Sequence, residues 1–493
     1  MVTNHTPAPI LPTTHYINGQ WSELGEPSFA DHNPFNGEVV ANVSAGGAAE
    51  AQAAVAAAHE AFPAWADMAP RDRQCLFLEA ASITERRRSD IVHVLAIETG
   101  CGAAFANFQV SWSVELLRQA AGWAYLPRGE VLPSDTPGRF AIAVRKPLGV
   151  VAGFTPWNGA FNLAWRTAVL PMAFGNTVVI KPSEEAPVSA GLLHAEIADE
   201  AGFPPGALNV VVHAAGDAAA ISEVFMASPK VRCINFTGSA ATARILAERA
   251  GRALKPIVLE LGGFNPMIVL DDADLTHAVD AAAFGAFFHQ GQICLCTRKV
   301  FVDQSIHDAF VDALTAKTAT LKCGDPADPT IVIGPLINDR AVRQVDERVQ
   351  DAISRGARLV TGAKANGRVY EPTILTDVPR DAPITTGSEE TFGPVLVVEA
   401  VSGAEEALAR AQATPYGLSA AIMTGDQDRG LALAQRFDTG IVHINAPTLV
   451  GEPSLPNGGV KDSGWGRSGH YAMEDFTEIR LTTLNRGTSR YPI

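Results

Sequence analysis

The chain is poor in the features that mark a specialised protein. Its 493 residues include only 6 cysteines, too few and too unevenly spaced for a disulfide framework. Charged residues make up 18%, well below the bias of a disordered or coiled-coil chain. The charge balance is 38 basic against 53 acidic residues, a net −15. With Lys and Arg scattered, that sign argues against a polyanion-binding surface, so no nucleic-acid partner is expected. No uncharged apolar run reaches the ~18 residues that a membrane span needs. The segment up to Trp21 lacks a basic start and an apolar stretch, so no secretory leader is expected either. No repeat of 20–50 residues is apparent, which excludes a solenoid. A cytoplasmic, reducing location follows, where a special cysteine is catalytic more often than structural.

What is present is an acidic, Ala-rich chain with 47% apolar residues, long enough for two to four domains. Helical spacing runs through Ala48–Trp65, Arg71–Glu98 and Ala103–Tyr125 after a short β-like lead. Short Val/Ile-rich runs then alternate with helical patterns: Val150–Phe154, Thr177–Lys181, Leu208–His213 and Cys233–Phe236. After Pro256 the alternation restarts through Ile257–Leu261, Pro266–Leu270 and Lys299–Val302. Continuous apolar strands between helices are buried on both faces, which predicts α/β architecture with two doubly wound parallel-sheet domains. Arg139–Pro147 and Phe476–Leu484 alternate as strands outside both series. They are expected to pair with each other or with another subunit.

Four segments carry chemistry. Cys294, in Gly291-Gln292-Ile293-Cys294-Leu295-Cys296, has three readings. It is a small buried hydrophobe; or a zinc ligand, although one C-x-C with His289 supplies at most three of four ligands; or a nucleophile exposed by the Gly-Gln turn beside backbone N–H donors. Glu260 ends an apolar strand just before Gly262-Gly263, a costly place for a carboxylate without a partner or a task. It lies where open α/β sheets put ligand sites, or else it caps the next turn. Asn158, in Pro156-Trp157-Asn158, offers an N–H to a developing oxyanion, though the tripeptide is equally turn chemistry. Phe236-Thr237-Gly238-Ser239 closes a strand and opens a helix, so its free N–H groups suit a phosphate.

Order and spacing combine these segments. With Lys181-Pro182-Ser183-Glu184, Glu260-Leu261-Gly262-Gly263, Glu389-Glu390-Thr391-Phe392-Gly393-Pro394 and Gly458-Gly459-Val460-Lys461, the chain resembles the NAD(P)-dependent aldehyde dehydrogenase superfamily. The resemblance implies Cys294 as thiol nucleophile, Glu260 as the base that activates water, and Asn158 with the Cys294 N–H as oxyanion hole. It implies a cofactor site of Trp157, Lys181, Ser183, Glu184, Gly238, Ser239, Leu261, Glu390 and Phe392. A carboxylate at Glu184 accepts from ribose hydroxyls and repels a 2′-phosphate, which favours NAD, with NADP the weaker alternative. No metal is implied. Within the superfamily, Cys233-Ile234-Asn235-Phe236, Gly291–Cys294, Arg166 and His443–Thr448 are similar to bacterial aromatic-aldehyde dehydrogenases. That likeness puts Arg166 at the substrate funnel, stacked on a ring or holding its substituent, or else in an ordinary ion pair. Leu163, Phe105, Phe108, Trp112, Ile293 and Leu295 are candidate pocket walls.

The implied domains are a Rossmann-like NAD-binding domain (1–138 and 149–259), a catalytic domain (260–450) and an oligomerisation arm (139–148 and 475–493) serving a homodimer or homotetramer. The departures are Ala243, Phe264, Gln412, Asn457 and Ser468; they blur the substrate and leave the three catalytic positions untouched. The expected reaction is oxidation of an aldehyde to its acid through a thiohemiacetal and thioester. Alternatives are an aliphatic or semialdehyde substrate, acyl transfer to coenzyme A, and a non-catalytic NAD-binding structural protein.

Overall fold

The computed structural model of the protein describes residues 11–25, 27–387, 390–486, 491 and 493. The ten N-terminal residues, Glu389, and residues 487–490 and 492 of the arm segment lie outside the described residues. A lead of four strands, β1 (Tyr16–Ile17), β2 (Gln20–Trp21), β3 (Ser28–His32) and β4 (Val39–Ser44), precedes four helices. These are α1 (Ala48–Ala66), α2 (Pro70–Arg86), α3 (Arg88–Thr99) and α4 (Ala103–Trp123). Two further strands follow, β5 (Gly129–Leu132) and β6 (Arg139–Pro147). The first alternation is β7 (Val150–Thr155), α5 (Ala160–Ala173), β8 (Thr177–Pro182), α6 (Leu193–Glu200), β9 (Leu208–Val210), α7 (Ala218–Ala227), β10 (Val231–Thr237), α8 (Ala240–Arg252) and β11 (Ile257–Glu260).

The second runs through β12 (Met267–Val269), α9 (Leu275–Phe287), β13 (Lys299–Asp303), α10 (His307–Thr318), α11 (Asp339–Ser354), β14 (Arg358–Thr361), β15 (Ala365–Asn366), β16 (Val369–Tyr370), β17 (Thr373–Thr376), α12 (Pro383–Thr386), β18 (Val395–Val401), α13 (Gly403–Ala411), β19 (Tyr416–Gly417), β20 (Ser419–Met423), α14 (Gln427–Ala434) and β21 (Ile441–Ile444). The chain closes with β22 (Val460–Lys461), β23 (Gly464–Trp465), α15 (Ala472–Phe476) and β24 (Thr477–Asn485).

The first sheet has the order β2-β1-β9-β8-β7-β10-β11-β23. Its centre is parallel, and β1, β2 and β23 are antiparallel edges. Period-two alternation inside the apolar runs sends neighbours to opposite faces. Val150, Ala152 and Phe154 join one buried cluster, whereas Val151 and Cys233 join the other. Each fully buried Val or Ile contributes roughly 1.5–3 kcal/mol, so both faces need helices over them. The second sheet, β14-β17-β18-β13-β12-β20-β21, repeats the device: Val300 and Val302 face one cluster, Phe301 the other.

Two strand assignments differ from the sequence expectation that the alternation restarts after Pro256 and that the arm has two strands. The run Ile257–Glu260 pairs in register with β10, so the first sheet extends through Glu260 and the second begins only at Met267. Apolar character alone does not say which sheet a strand joins. The arm is three-stranded, in the order β24-β6-β5; β24 and β6 pair along their whole length, and β5 is recruited from the segment assigned to the N-terminal domain. Among the described residues, no helix is long and apolar enough to cross a membrane.

Candidate active site

In chain order, the five parallel strands of the first sheet stand 3-2-1-4-5 across it, so the order reverses between β7 and β10. Ligand crevices in open α/β sheets open at such a point, outside the C-terminal strand ends. A cleft of about 640 Å3 lies there, within the range of small-molecule sites. It is lined by Trp157 and Asn158 after β7, Gly238 and Ser239 after β10, and Glu260 and Leu261 at the end of β11. Leu163, Cys294, Glu390 and Phe392 also line it, and Trp157 and Phe392 meet edge to face at 5.7 Å.

Cys294 sits on a loop between α9 and β13 whose backbone is unusual. His289, Gln290 and Gly291 have φ of 49°, 54° and 69°, a left-handed run that non-glycine residues keep only with anchoring from the surrounding structure. Gln290 supplies it, donating from Nε2 to Gly100 O (2.9 Å) and Pro335 O (3.1 Å). Two residues that the motif search did not single out clamp the loop from below. The Asn265 amide donates to Cys294 O (2.6 Å) and Cys296 O (2.9 Å), and its Oδ1 accepts from Ser419 N (3.1 Å). Arg298 donates to Gly291 O (2.7 Å) and Ile293 O (3.1 Å), pairs with Glu390 Oε1 (3.2 Å) and lies over Phe392 at 5.5 Å. The sequence signal for both was faint: a polar residue ahead of a buried strand, Asn265 before Pro266 and Arg298 within Thr297-Arg298-Lys299 at the start of β13.

Asn158 is buried and donates from Nδ2 to Gln292 O (2.9 Å), which leaves its second N–H for an oxyanion beside Cys294. Burial pushes the Cys294 thiol up to about 12; Arg166 opposes this, while Glu390, Glu260 and Cys296 add to it. Burial likewise raises Glu260 above the ordinary carboxylate range, against the pull of Arg166 and Arg467. Glu390 is raised by burial and held down by Arg298. A Cβ on Gly262 would collide with the Glu390 carboxylate, so the Gly-Gly turn is the space that Glu390 occupies.

The other expected residues lie elsewhere. Lys181, Ser183 and Glu184 stand at the end of β8, beside β7 and outside the cleft lining. Lys181 Nζ is 2.5 Å from His213 Nε2 and 3.2 Å from Pro182 O, and burial lowers it to about 8. Glu184 is half-buried, 3.9 Å from the same imidazole. Arg166 departs from the funnel expectation: its guanidinium points at Glu260 Oε2 (3.6 Å) and Thr237 Oγ1 (3.0 Å), the ion-pair alternative. Phe105, Phe108 and Trp112 are on α4, away from the cleft lining. Phe105 is buried against Phe288 (5.3 Å) and His289 (4.6 Å), behind the Cys294 loop; Trp112 is buried and Phe108 exposed. Ile293 is buried, and the Leu295 carbonyl accepts from Thr448 (2.7 Å).

A thiol, an amide donor beside it and a desolvated carboxylate in the same cleft are the parts of an acyl-transfer site. Comparison with known proteins supplies the class: the profile of the aldehyde dehydrogenase family matches residues 21–482, and the chain belongs to that family. It is therefore an oxidoreductase acting on an aldehyde. It is 47% identical to a vanillin dehydrogenase of Pseudomonas fluorescens over 467 residues, covering 94% of this chain and 96% of the relative. A salicylaldehyde dehydrogenase from Pseudomonas putida G7, solved with salicylaldehyde, superposes with a TM-score of 0.95 at 36% identity, over 98% of this chain and all of that one. A betaine aldehyde dehydrogenase from Staphylococcus aureus, solved with NAD+, matches with a TM-score of 0.93 at 30% identity, over 97% and 96% of the two chains.

Proposed function

We propose that the chain oxidises an aromatic aldehyde to its carboxylic acid, with NAD as hydride acceptor and water as acyl acceptor. The observation that carries this reading is the convergence of Cys294, Asn158 and Glu260 on one cleft at the switch point. Support for an aromatic substrate comes from the vanillin and salicylaldehyde relatives.

The cleft suits a dinucleotide. The ends of β8, β7, β10 and β11 are consecutive, three steps of about 4.8 Å, and α8 opens with Ser239 capping Thr242 N (3.3 Å). That leaves the N–H groups of Ala240 and Ala241 facing the cleft for a pyrophosphate. Lys181 and Glu184 would take the adenosine ribose, Glu390 the nicotinamide ribose, and Trp157 and Phe392 the ring. When bound, NAD supplies the acceptor for the aldehyde hydrogen.

The chain's own groups do the rest. Cys294 gives up its proton to water in the open cleft and attacks the carbonyl carbon, and Asn158 Nδ2 and the Cys294 N–H hold the oxyanion. Loss of the hydride collapses the adduct to a thioester on Cys294. Glu260 takes a proton from water, which attacks the thioester; the acid leaves and the thiolate is restored. A base built in for water also argues against coenzyme A as acceptor. Exposed Val131, Phe140, Ile479, Leu481 and Leu484 on the arm support assembly of a homodimer or homotetramer, and six free cysteines agree with a cytoplasmic setting. A panel of aromatic and aliphatic aldehydes, read at the NADH absorbance with NAD and NADP in parallel, tests the proposal. Aromatic substrates are expected to win on kcat/KM with NAD; an aliphatic or NADP preference overturns that part.

A further inference from the structure

Arg166 has a place in the reaction that its position on α5 does not suggest. Thr237 and Glu260 are register partners at the C-terminal ends of β10 and β11, and the Arg166 guanidinium reaches both, 3.0 Å from Thr237 Oγ1 and 3.6 Å from Glu260 Oε2. The pair is largely shielded, with side-chain exposures of 13% and 12%, so its electrostatic effect is not diluted by solvent. We propose that Arg166 is a positioning residue for thioester hydrolysis: anchored on Thr237, it holds the Glu260 carboxylate as an anion at the C-terminal end of β11.

The groups that face Glu260 single it out. Arg467 and Asp475 approach from the C-terminal segment with opposite signs. Arg467 spends its guanidinium on Gly459 O (2.9 Å) and Gly466 O (2.6 Å), while Asp475 accepts from the Arg467 N–H (3.0 Å). A planar fork fits the task, because one nitrogen is anchored on Thr237 while another faces the carboxylate.

The inference rests on the proposed roles of Cys294 and Glu260, and the experiment separates the two levels. Arg166→Met removes the charge at similar length, and Arg166→Lys restores it. In Arg166→Met, the acidic limb of the kcat profile is expected to move up by about one to three pH units, as for a carboxylate losing an opposite charge within ~4–6 Å. KM for the aldehyde is expected to change less than kcat. Arg166→Lys should recover most of the shift. If Arg166→Met does not fold, Thr237→Val, which frees the guanidinium, is expected to move the acidic limb in the same direction. A profile that overlays the wild type, or a raised KM with the acidic limb in place, overturns the proposal and returns Arg166 to a substrate contact. Glu260→Gln, run alongside, should accumulate an acyl-enzyme by intact mass. If it turns over fully, the base assignment itself fails; if the adduct appears while the Arg166→Met profile stays put, only the role of Arg166 fails.

Discussion

Asn265 offers the sharpest test of how Cys294, the proposed nucleophile, is held. Its side chain makes three buried hydrogen bonds, two donated to the carbonyls of Cys294 and Cys296 and one accepted from Ser419 N. Its backbone sits at φ 45°, a conformation that Asn and Gly tolerate and Ala does not. Two substitutions separate these effects. Asn265→Gly keeps the backbone comfortable and loses the bonds, each contributing about 1 kcal/mol and more where a buried partner is left unsatisfied. A loss of about 3 kcal/mol felt in the alignment of the thiol corresponds to about 100-fold in rate. Asn265→Ala adds about 1–2 kcal/mol of left-handed strain and should melt below Asn265→Gly. The assay is kcat at saturating aldehyde and cofactor, together with the alkylation rate of Cys294 and a melting curve. The expected order is wild type well above both variants in kcat, and Gly above Ala in thermal stability. If both variants stay within about twofold of the wild type in kcat, where a single lost bond already predicts several-fold, the clamp is not what aligns Cys294.

Other expectations follow from the same geometry. Cys294→Ala should abolish NADH production; residual turnover at the wild-type rate would remove the thiol from the mechanism. Because the free-enzyme thiol is pushed up to about 12, alkylation of Cys294 without ligand should rise about tenfold per pH unit from neutral pH upward, and a plateau near the ordinary thiol value of about 8.5 would refute that burial. Asp31 is buried beside Glu98, and burial followed by that neighbour pushes its carboxyl up to about 10. A folded value above the unfolded one gives stability that is complete below about pH 4 and is lost as pH rises towards 10. Asp31→Asn keeps a donor without the charge, so it should raise the melting temperature at pH 8 and leave it nearly unchanged at pH 4; equal effects at both pH values would contradict the assignment.

The strands of both sheets were legible in the sequence because burial on two faces leaves a continuous apolar signature, as in Val150-Val151-Ala152-Gly153-Phe154. Sheet membership was not, since Ile257–Leu259 looks the same whichever neighbour it pairs with. The residues proposed to react stood out as chemical exceptions in place: a carboxylate closing an apolar strand, and a cysteine after a Gly-Gln turn. Their supports did not. Asn265, Arg298 and Arg166 act through distances set by tertiary packing, and an arginine on a helix carries no mark of whether it faces substrate, solvent or Glu260. For that reason Arg166, expected at the funnel, is found against Glu260, and of the aromatic residues of α4 Phe105 packs behind the Cys294 loop while none of the three lines the cleft.

The groups proposed to react are carried by different sheets, and this explains the use of a C-terminal segment that carries none of them. Glu260 ends the first sheet, whereas Cys294 leads into the second through β13. A base and a thioester must hold their geometry to within about 0.5 Å to react well, so the seam has to be stiff. Ser463 supplies a strap across it: its hydroxyl donates to Gly262 O (2.8 Å) and accepts from Gly417 N (3.0 Å), and its carbonyl accepts from Leu261 N (3.2 Å). One residue further on, Gly464 pairs with Glu260 itself in the β23–β11 ladder. Ser463 is fully buried, so its hydroxyl is there for its two partners and not for solvent. Ser463→Ala leaves two buried backbone groups unpaired at about 1–3 kcal/mol each, and through the tether on Glu260 it should slow thioester hydrolysis more than thioester formation. A variant that loses both steps equally would place the strap in general stability instead of in the alignment of the base.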